Sequence, residues 1–142
     1  MSDTPITPVL AVGAVVWKDD KVLLIQRGQP PRKGSWSLPG GRQQWGETVY
    51  QAGAREIREE AGIEIRIIET AAVVDLIDRT ADGSVAYHYT VVDLVAEWVS
   101  GEAVAGDDAA AVAWATRDEL AGYKLTPKMH EVIEIAAKKR KS

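Results

Sequence analysis

Residues 41 to 63 read GRQQWGETVYQAGAREIREEAGI, and no other stretch limits so tightly what this chain can become. Thr48 followed three residues later by Gln51 is a capping-box pattern, in which each side chain satisfies a backbone donor at a helix start. Gly62 stands where a left-handed C-terminal cap is expected. The helix so bounded carries Glu56, Glu59 and Glu60, which fall within an arc of about 100° at 3.6 residues per turn. Ile57 and Ala61 lie to one side of that arc and can face a core. Like charges at this spacing repel, and only Arg55 and Arg58 stand near to offset them, with Arg55 reaching Glu59 one turn on. A solvated charge ladder and an oxygen-rich site for a hard divalent cation both fit. A stabilising ladder would alternate its signs, which this one does not, yet spacing alone keeps both readings open.

The rest of the chain alternates strand and helix signals. Pro8 to Trp17 is apolar and β-rich, and KDDK turns it into VLLIQR, so a hairpin is expected there. GQPPRKGS is a loop carrying Arg32 and Lys33, and WSLPGG is expected to be irregular backbone. IEIRIIETAAVVDLID and VAYHYTVVDLVAEWV, separated by RTADGS, read as a pair of long strands, and AVAWA as a shorter one. Thr126 and Pro127 open a second helix whose Met129, Val132, Ile133 and Ala136 form a buried stripe. The terminal KKRKS reads as a solvated tail suited to the negative end of the helix dipole.

At 142 residues the chain suits a single domain, 1–142, without linker or repeat. A net charge of −4 argues against a polyanion binder, so no nucleic acid is expected as partner. The chain has no Cys, which excludes disulfides and thiolate zinc sites. No apolar run is long enough to span a bilayer and MSDTPIT lacks a positive n-region, so the expected location is the cytoplasm, away from membranes.

Gly41, Glu47, Arg55, Glu56, Ile57, Glu59, Glu60, Gly62 and Ile63 meet every fixed position of the pattern G-x5-E-x7-R-E-U-x-E-E-x-G-U, with U a bulky aliphatic. That stretch resembles the Nudix box, and the flanking strands, WSLPGG and the late strand plus helix resemble the family as well. The resemblance implies an α/β/α sandwich around a mixed β-sheet. It also implies hydrolysis of a nucleoside diphosphate linked to another moiety, with Mg²⁺ or Mn²⁺ as cofactor. Glu56, Glu59 and Glu60 are then the expected metal ligands, joined by the carbonyl of Gly40, and Glu56 is a candidate base for the attacking water. Glu47 and Arg55 are expected to pair and hold the loop against the helix, while Gly41 and Gly62 meet backbone demands.

Outside the box, Asp107 or Asp108 in GEAVAGDDAA is a further candidate base, against the reading of an ordinary Asp pair in a turn. Arg27 and Arg32 are candidates for phosphate contacts, and Trp36 for the mouth of the site. Tyr87 and His88 are expected on opposite strand faces, and His88 has no visible catalytic partner. No ADP-ribose-type Pro or polyphosphate-type Tyr marker follows the box, where Asp78, Arg79 and Thr80 stand. The overall pattern looks like small ADP-ribose pyrophosphatases and mutator-type nucleoside triphosphatases, with the former favoured. A dinucleoside polyphosphate hydrolase and a non-hydrolytic nucleotide sensor are the alternatives. A homodimer is possible, and Trp98 is a candidate contributor.

Overall fold

Asp19 adopts the left-handed conformation (φ 57°), which Asp tolerates better than most residues, and this lets KDDK close a tight turn. It joins β1 (Val9–Lys18) to β2 (Lys21–Arg27), as the two apolar runs predict. The computed structural model describes residues 6–30, 32–106 and 108–140. Beyond Trp17 the hairpin partners separate, and β1 takes up β4 (Gly40–Arg42) while β2 takes up β3 (Trp36–Ser37). WSLPGG is therefore two short strands and not irregular backbone. Its Pro39 carbonyl accepts a bond from the Ala14 amide, and Gly40 packs so closely on β1 that a Cβ there would lie 2.1 Å from the Val12 carbonyl oxygen.

The long strand pair is β5 (Glu64–Arg79) and β6 (Val85–Ser100), joined at Thr80–Ser84 by a turn in which Gly83 has φ 89°. β6 lies parallel to β1, Val9 opposite Tyr89 through Trp17 opposite Glu97, whereas every other strand pair among the described residues is antiparallel. β7 (Ala109–Thr116) is longer than AVAWA and pairs with β2, so the described strands form one mixed seven-stranded sheet.

The helices cover opposite faces of the sheet. α1 (Val49–Ala61) buries Ala52, Ile57 and Ala61 against Val12, Ala14, Val16, Leu23 and Leu94. Gly53 lets it approach closely, since a Cβ there would stand 2.6 Å from a Leu94 methyl. After a 3₁₀ segment (Arg117–Tyr123), α2 (Pro127–Lys139) buries Val132, Ile133, Ala136 and Ala137 against Val15, Trp17, Leu24 and Val95 on the other face. Alternation along β1 and β6 produces both cores, because successive side chains point to opposite sides. The result is the expected α/β/α sandwich. The described part of KKRKS is not a solvated tail. Lys139 donates to the Thr70 carbonyl, and Arg140 clamps Glu97 at 2.6 and 2.8 Å. Among the described residues no helix is long and apolar enough to cross a membrane.

Candidate active site

α1 starts and ends as its sequence dictates. The Thr48 hydroxyl accepts from the Gln51 amide, the Gln51 side chain accepts from the Thr48 amide, and Gly62 closes the C-terminus at φ 70°. With Ile57 facing the core, Arg55, Glu56, Glu59 and Glu60 are turned toward the loop that carries Gly40 to Glu47. Arg55 is the hub of that surface. Its Nε and Nη2 grip Glu47 at 2.7 and 3.0 Å, Nη2 also donates to the Arg42 carbonyl, and Nη1 reaches Glu56 at 2.7 Å and Glu59 at 3.2 Å. The Arg55 bonds hold the Glu47 carboxyl below the usual carboxylate range, helped by the Gln44 amide. The guanidinium is driven further toward its charged form, first by Glu47 and then by Glu56. Arg55 thus ties loop to helix, as the resemblance implies.

The three clustered glutamates are not equivalent. Glu59 is exposed (59%), whereas Glu56 is largely covered (15%). Gly41 lies directly over Glu56, where a Cβ would meet the carboxylate at 2.4 Å and displace it. Glu60 is the most desolvated. Its Oε1 accepts from the Gly40 amide at 2.7 Å, yet its carboxyl is pushed up to about 7. Burial is the main cause, and the nearby charges of Glu56, Asp108 and Glu59 add to it. Asp108 is brought there by a loop sealed onto the end of α1. Val104 and Gly106 donate to the Ala61 and Glu60 carbonyls, and a Cβ at Gly106 would stand 2.0 Å from the Glu59 carbonyl oxygen.

Gly40 engages this cluster through its N–H. Asp107 lies outside the described residues. Arg27 and Arg32 sit at the ends of an exposed loop, Arg27 donating to the Pro30 carbonyl and Arg32 held at φ 59° with its carbonyl capped by Ser35. Trp36 packs with the α2-side core, edge-on to Tyr123 at 5.0 Å, and so does not belong to the glutamate face. Tyr87 and His88 fall in the distal part of the β5–β6 pair, with Tyr87 edge-on to Tyr89. Trp98 is packed into the α1-side core beneath Lys18, its indole N–H bonded to the Gly101 carbonyl.

One residue escaped the sequence reading. Asp93 on β6 is 7% exposed, its carboxylate accepts no hydrogen bond from the described residues, and it is raised to about 6 by desolvation alone. Gly13 makes room for it, because a Cβ there would meet Oδ1 at 2.4 Å. A lone acid inside VVDLVA was the available signal.

Among the described residues no three acidic or imidazole side chains are already gathered into a metal cage. The donor set nevertheless suits a hard cation. It consists of carboxylate oxygens, with the innermost one desolvated among three more negative groups.

A family model described as the NUDIX domain matches residues 7–135. The chain is 40% identical over 102 residues to the ADP-ribose pyrophosphatase of Methanocaldococcus jannaschii, covering 72% of this chain and 58% of that protein's length. It is 33% identical over 113 residues to a protein of Mycobacterium tuberculosis named putative 8-oxo-dGTP diphosphatase 2, covering 79% of this chain and 75% of that one. A solved MutT NUDIX hydrolase from Burkholderia pseudomallei superposes with a TM-score of 0.78 at 34% identity, over 90% of this chain and 97% of its own.

Proposed function

The chain belongs to the Nudix family, and from that premise we propose that it is a metal-dependent pyrophosphohydrolase acting on a nucleoside diphosphate linked to another moiety. The carrying observation is the Glu60 carboxyl, buried beside Glu56, Glu59 and Asp108 with a single backbone donor. Such a site is unfavourable by itself and becomes favourable around a divalent cation. Glu56, Glu59 and Glu60 would hold the ion, Mg²⁺ or Mn²⁺. When bound it would neutralise pyrophosphate oxygens and lower the pKa of an attacking water.

The protein's own groups do the positioning. Arg55 and Glu47 lock the loop, so that the Gly40 amide stays aimed at Glu60 Oε1. With its proton lost, Glu60 would be one of the carboxylates that hold the ion. Glu56 and Asp108 are the two groups placed to take a proton from water, and Glu56 is the better held of the two. The Nη1 group of Arg55 spans Glu56 and Glu59, keeping both carboxylates oriented in the free protein.

ADP-ribose or a similar nucleotide sugar is the favoured substrate, supported by the archaeal relative's name at 40% identity. A nucleoside triphosphate is the second reading, supported by the mycobacterial relative's name. Residues 1–142 would act as one domain on a small nucleotide. Incubation with Mg²⁺ and ADP-ribose, nucleotide sugars, dinucleoside polyphosphates or nucleoside triphosphates, with chromatography of the products, tests the proposal. Turnover of one compound, lost in Glu56→Gln and Glu60→Gln, is the expected result. Full turnover in both variants would remove the carboxylates from the mechanism.

A further inference from the structure

β5 is the sheet's edge, and its two halves are built differently. Between Glu64 and Ala72 the strand is interrupted by irregularities at Ile67/Glu69 and Thr70/Ala72, where β5 carries the extra residue. Lys139 of α2 covers the same stretch, pairing with Glu69 and donating to the Thr70 carbonyl. Bulges and covering elements are how edge strands avoid pairing with other chains.

From Val73 to Arg79 neither protection is present. Here β5 steps one residue at a time against β6, and the irregularity at Asp78/Arg79 places the extra residue in β6. Beyond Tyr89 the ribbon has also left β1 behind, because the β1 register starts with Val9 opposite Tyr89. Among the described residues no strand other than β6 lies beside β5. Exposed large apolar side chains collect in this ribbon, with Val73 (62%), Leu76, Ile77, Val85 and Tyr87 among them. An isolated two-stranded ribbon of this kind is marginal in water.

The charges along the free edge indicate what covers it. The segment reads VVDLIDR. Antiparallel pairing with itself, centred on Ile77, sets Asp75 opposite Arg79 twice, once on each side of the axis. A slip of one residue toward Asp75 would instead face Asp75 with Asp78, a like-charge pair that destabilises a ladder. Asp75 already accepts from the Thr90 hydroxyl and Arg79 donates to the Gly83 carbonyl, but a carboxylate and a guanidinium both retain capacity for a second bond.

We propose that Asp75–Arg79 of β5 pairs antiparallel with the same segment of a second copy of this chain across a two-fold axis, Ile77 meeting Ile77 of the partner subunit and Asp75 meeting Arg79 of the partner subunit. The interface is isologous and closed, so it continues the sheet without seeding a fibre. It lies along the edge strand and does not depend on the chemistry proposed for the glutamates.

Sedimentation velocity and light scattering on the full chain test this directly. The expected species has twice the 15.4 kDa chain mass. Ile77→Lys, at an exposed position, gives a monomer with an unchanged circular dichroism spectrum. Asp75→Arg and Arg79→Asp each raise the dissociation constant about tenfold or more, and the double variant returns close to wild type. A wild-type monomer at about 100 µM, a dimer untouched by Ile77→Lys, species that grow beyond the dimer with concentration, or charge reversals without mutual rescue would each overturn the proposal.

Discussion

Two arginines anchor the molecule, and their surroundings differ in one respect. Arg55 and Arg140 are each 18% exposed, each grips a glutamate with two nitrogens, and each donates to a backbone carbonyl, Arg42 for one and Asp19 for the other. Arg140 serves a single carboxylate, Glu97, and lies over the Trp17 ring at 4.6 Å. Its charges balance locally. Arg55 is shared among Glu47, Glu56 and Glu59, with Glu60 and Asp108 beyond its reach. The Arg140 corner is a finished structural joint, whereas the Arg55 corner gathers more carboxylates than its one guanidinium bonds, with Glu60 desolvated among them.

The sharpest way to test that contrast is to relieve the excess. Glu60→Gln should lower turnover by about a thousandfold or more, since it removes an expected ligand. The same change should raise the thermal midpoint of the metal-free protein at pH 8. Glu60 is raised from 4.5 to about 7 in the fold, so its folded form holds a proton more tightly and stability is lost as pH climbs through that window. Calorimetry with and without Mg²⁺ separates the two effects, and a variant that is both inactive and less stable would contradict the contrast.

Arg140→Ala should do the opposite, costing about 2–4 kcal/mol by leaving Glu97 half-buried and unpaired. Specific activity of the remaining folded protein should be unchanged, as read by denaturant titration beside a turnover assay. An activity loss larger than the loss of folded protein would show that the two corners are coupled.

Asp93→Asn is a smaller test of the same kind. Its carboxyl is raised from 3.8 to about 6 by burial, so the folded state loses stability as pH rises from about 4 to 6. The amide should recover about 1–2 kcal/mol at neutral pH and flatten that slope. An unchanged pH–stability curve would mean that the group is hydrated in solution. Finally, affinity for Mn²⁺ should fall by up to about tenfold per pH unit below 7, because Glu60 must release its proton to bind. Isothermal titration from pH 6 to 8 measures this, and a flat profile would assign the cation to other oxygens.

Local signals in the sequence were sufficient where the physics is local. The cap residues Thr48, Gln51 and Gly62 bound α1 as their chemistry predicts, and Thr126 with Pro127 does the same for α2. The apolar, β-branched runs foretold strands, but they could not say which neighbours the strand faces would meet. The inequality of Glu56, Glu59 and Glu60 depends on a distant loop, whose Gly106 closes over the helix end. Asp93 looked like one acid in an apolar strand until Gly13, far away in sequence, proved to be the space reserved for it. Trp98 is masked by Lys18, and the basic tail is pinned by Glu97 and Glu69, partners that only the fold brings near. Charge spacing showed that the glutamates share a helix face, while their desolvation is a tertiary property.

The parallel pairing of β1 with β6 also fixes when this protein can form during its own synthesis. Val9 waits for Tyr89, and the inner face of α1 waits for Leu94, so neither core can close until most of the chain has left the ribosome. At about 5–20 residues per second β1, already paired with β2 and β4, waits roughly 5–15 s for β6. The capping box then matters early, because it lets α1 hold its turns while its apolar stripe is only partly covered, and a ribosome that stalls before β6 is complete would release a chain whose helix has only part of its sheet to bury it.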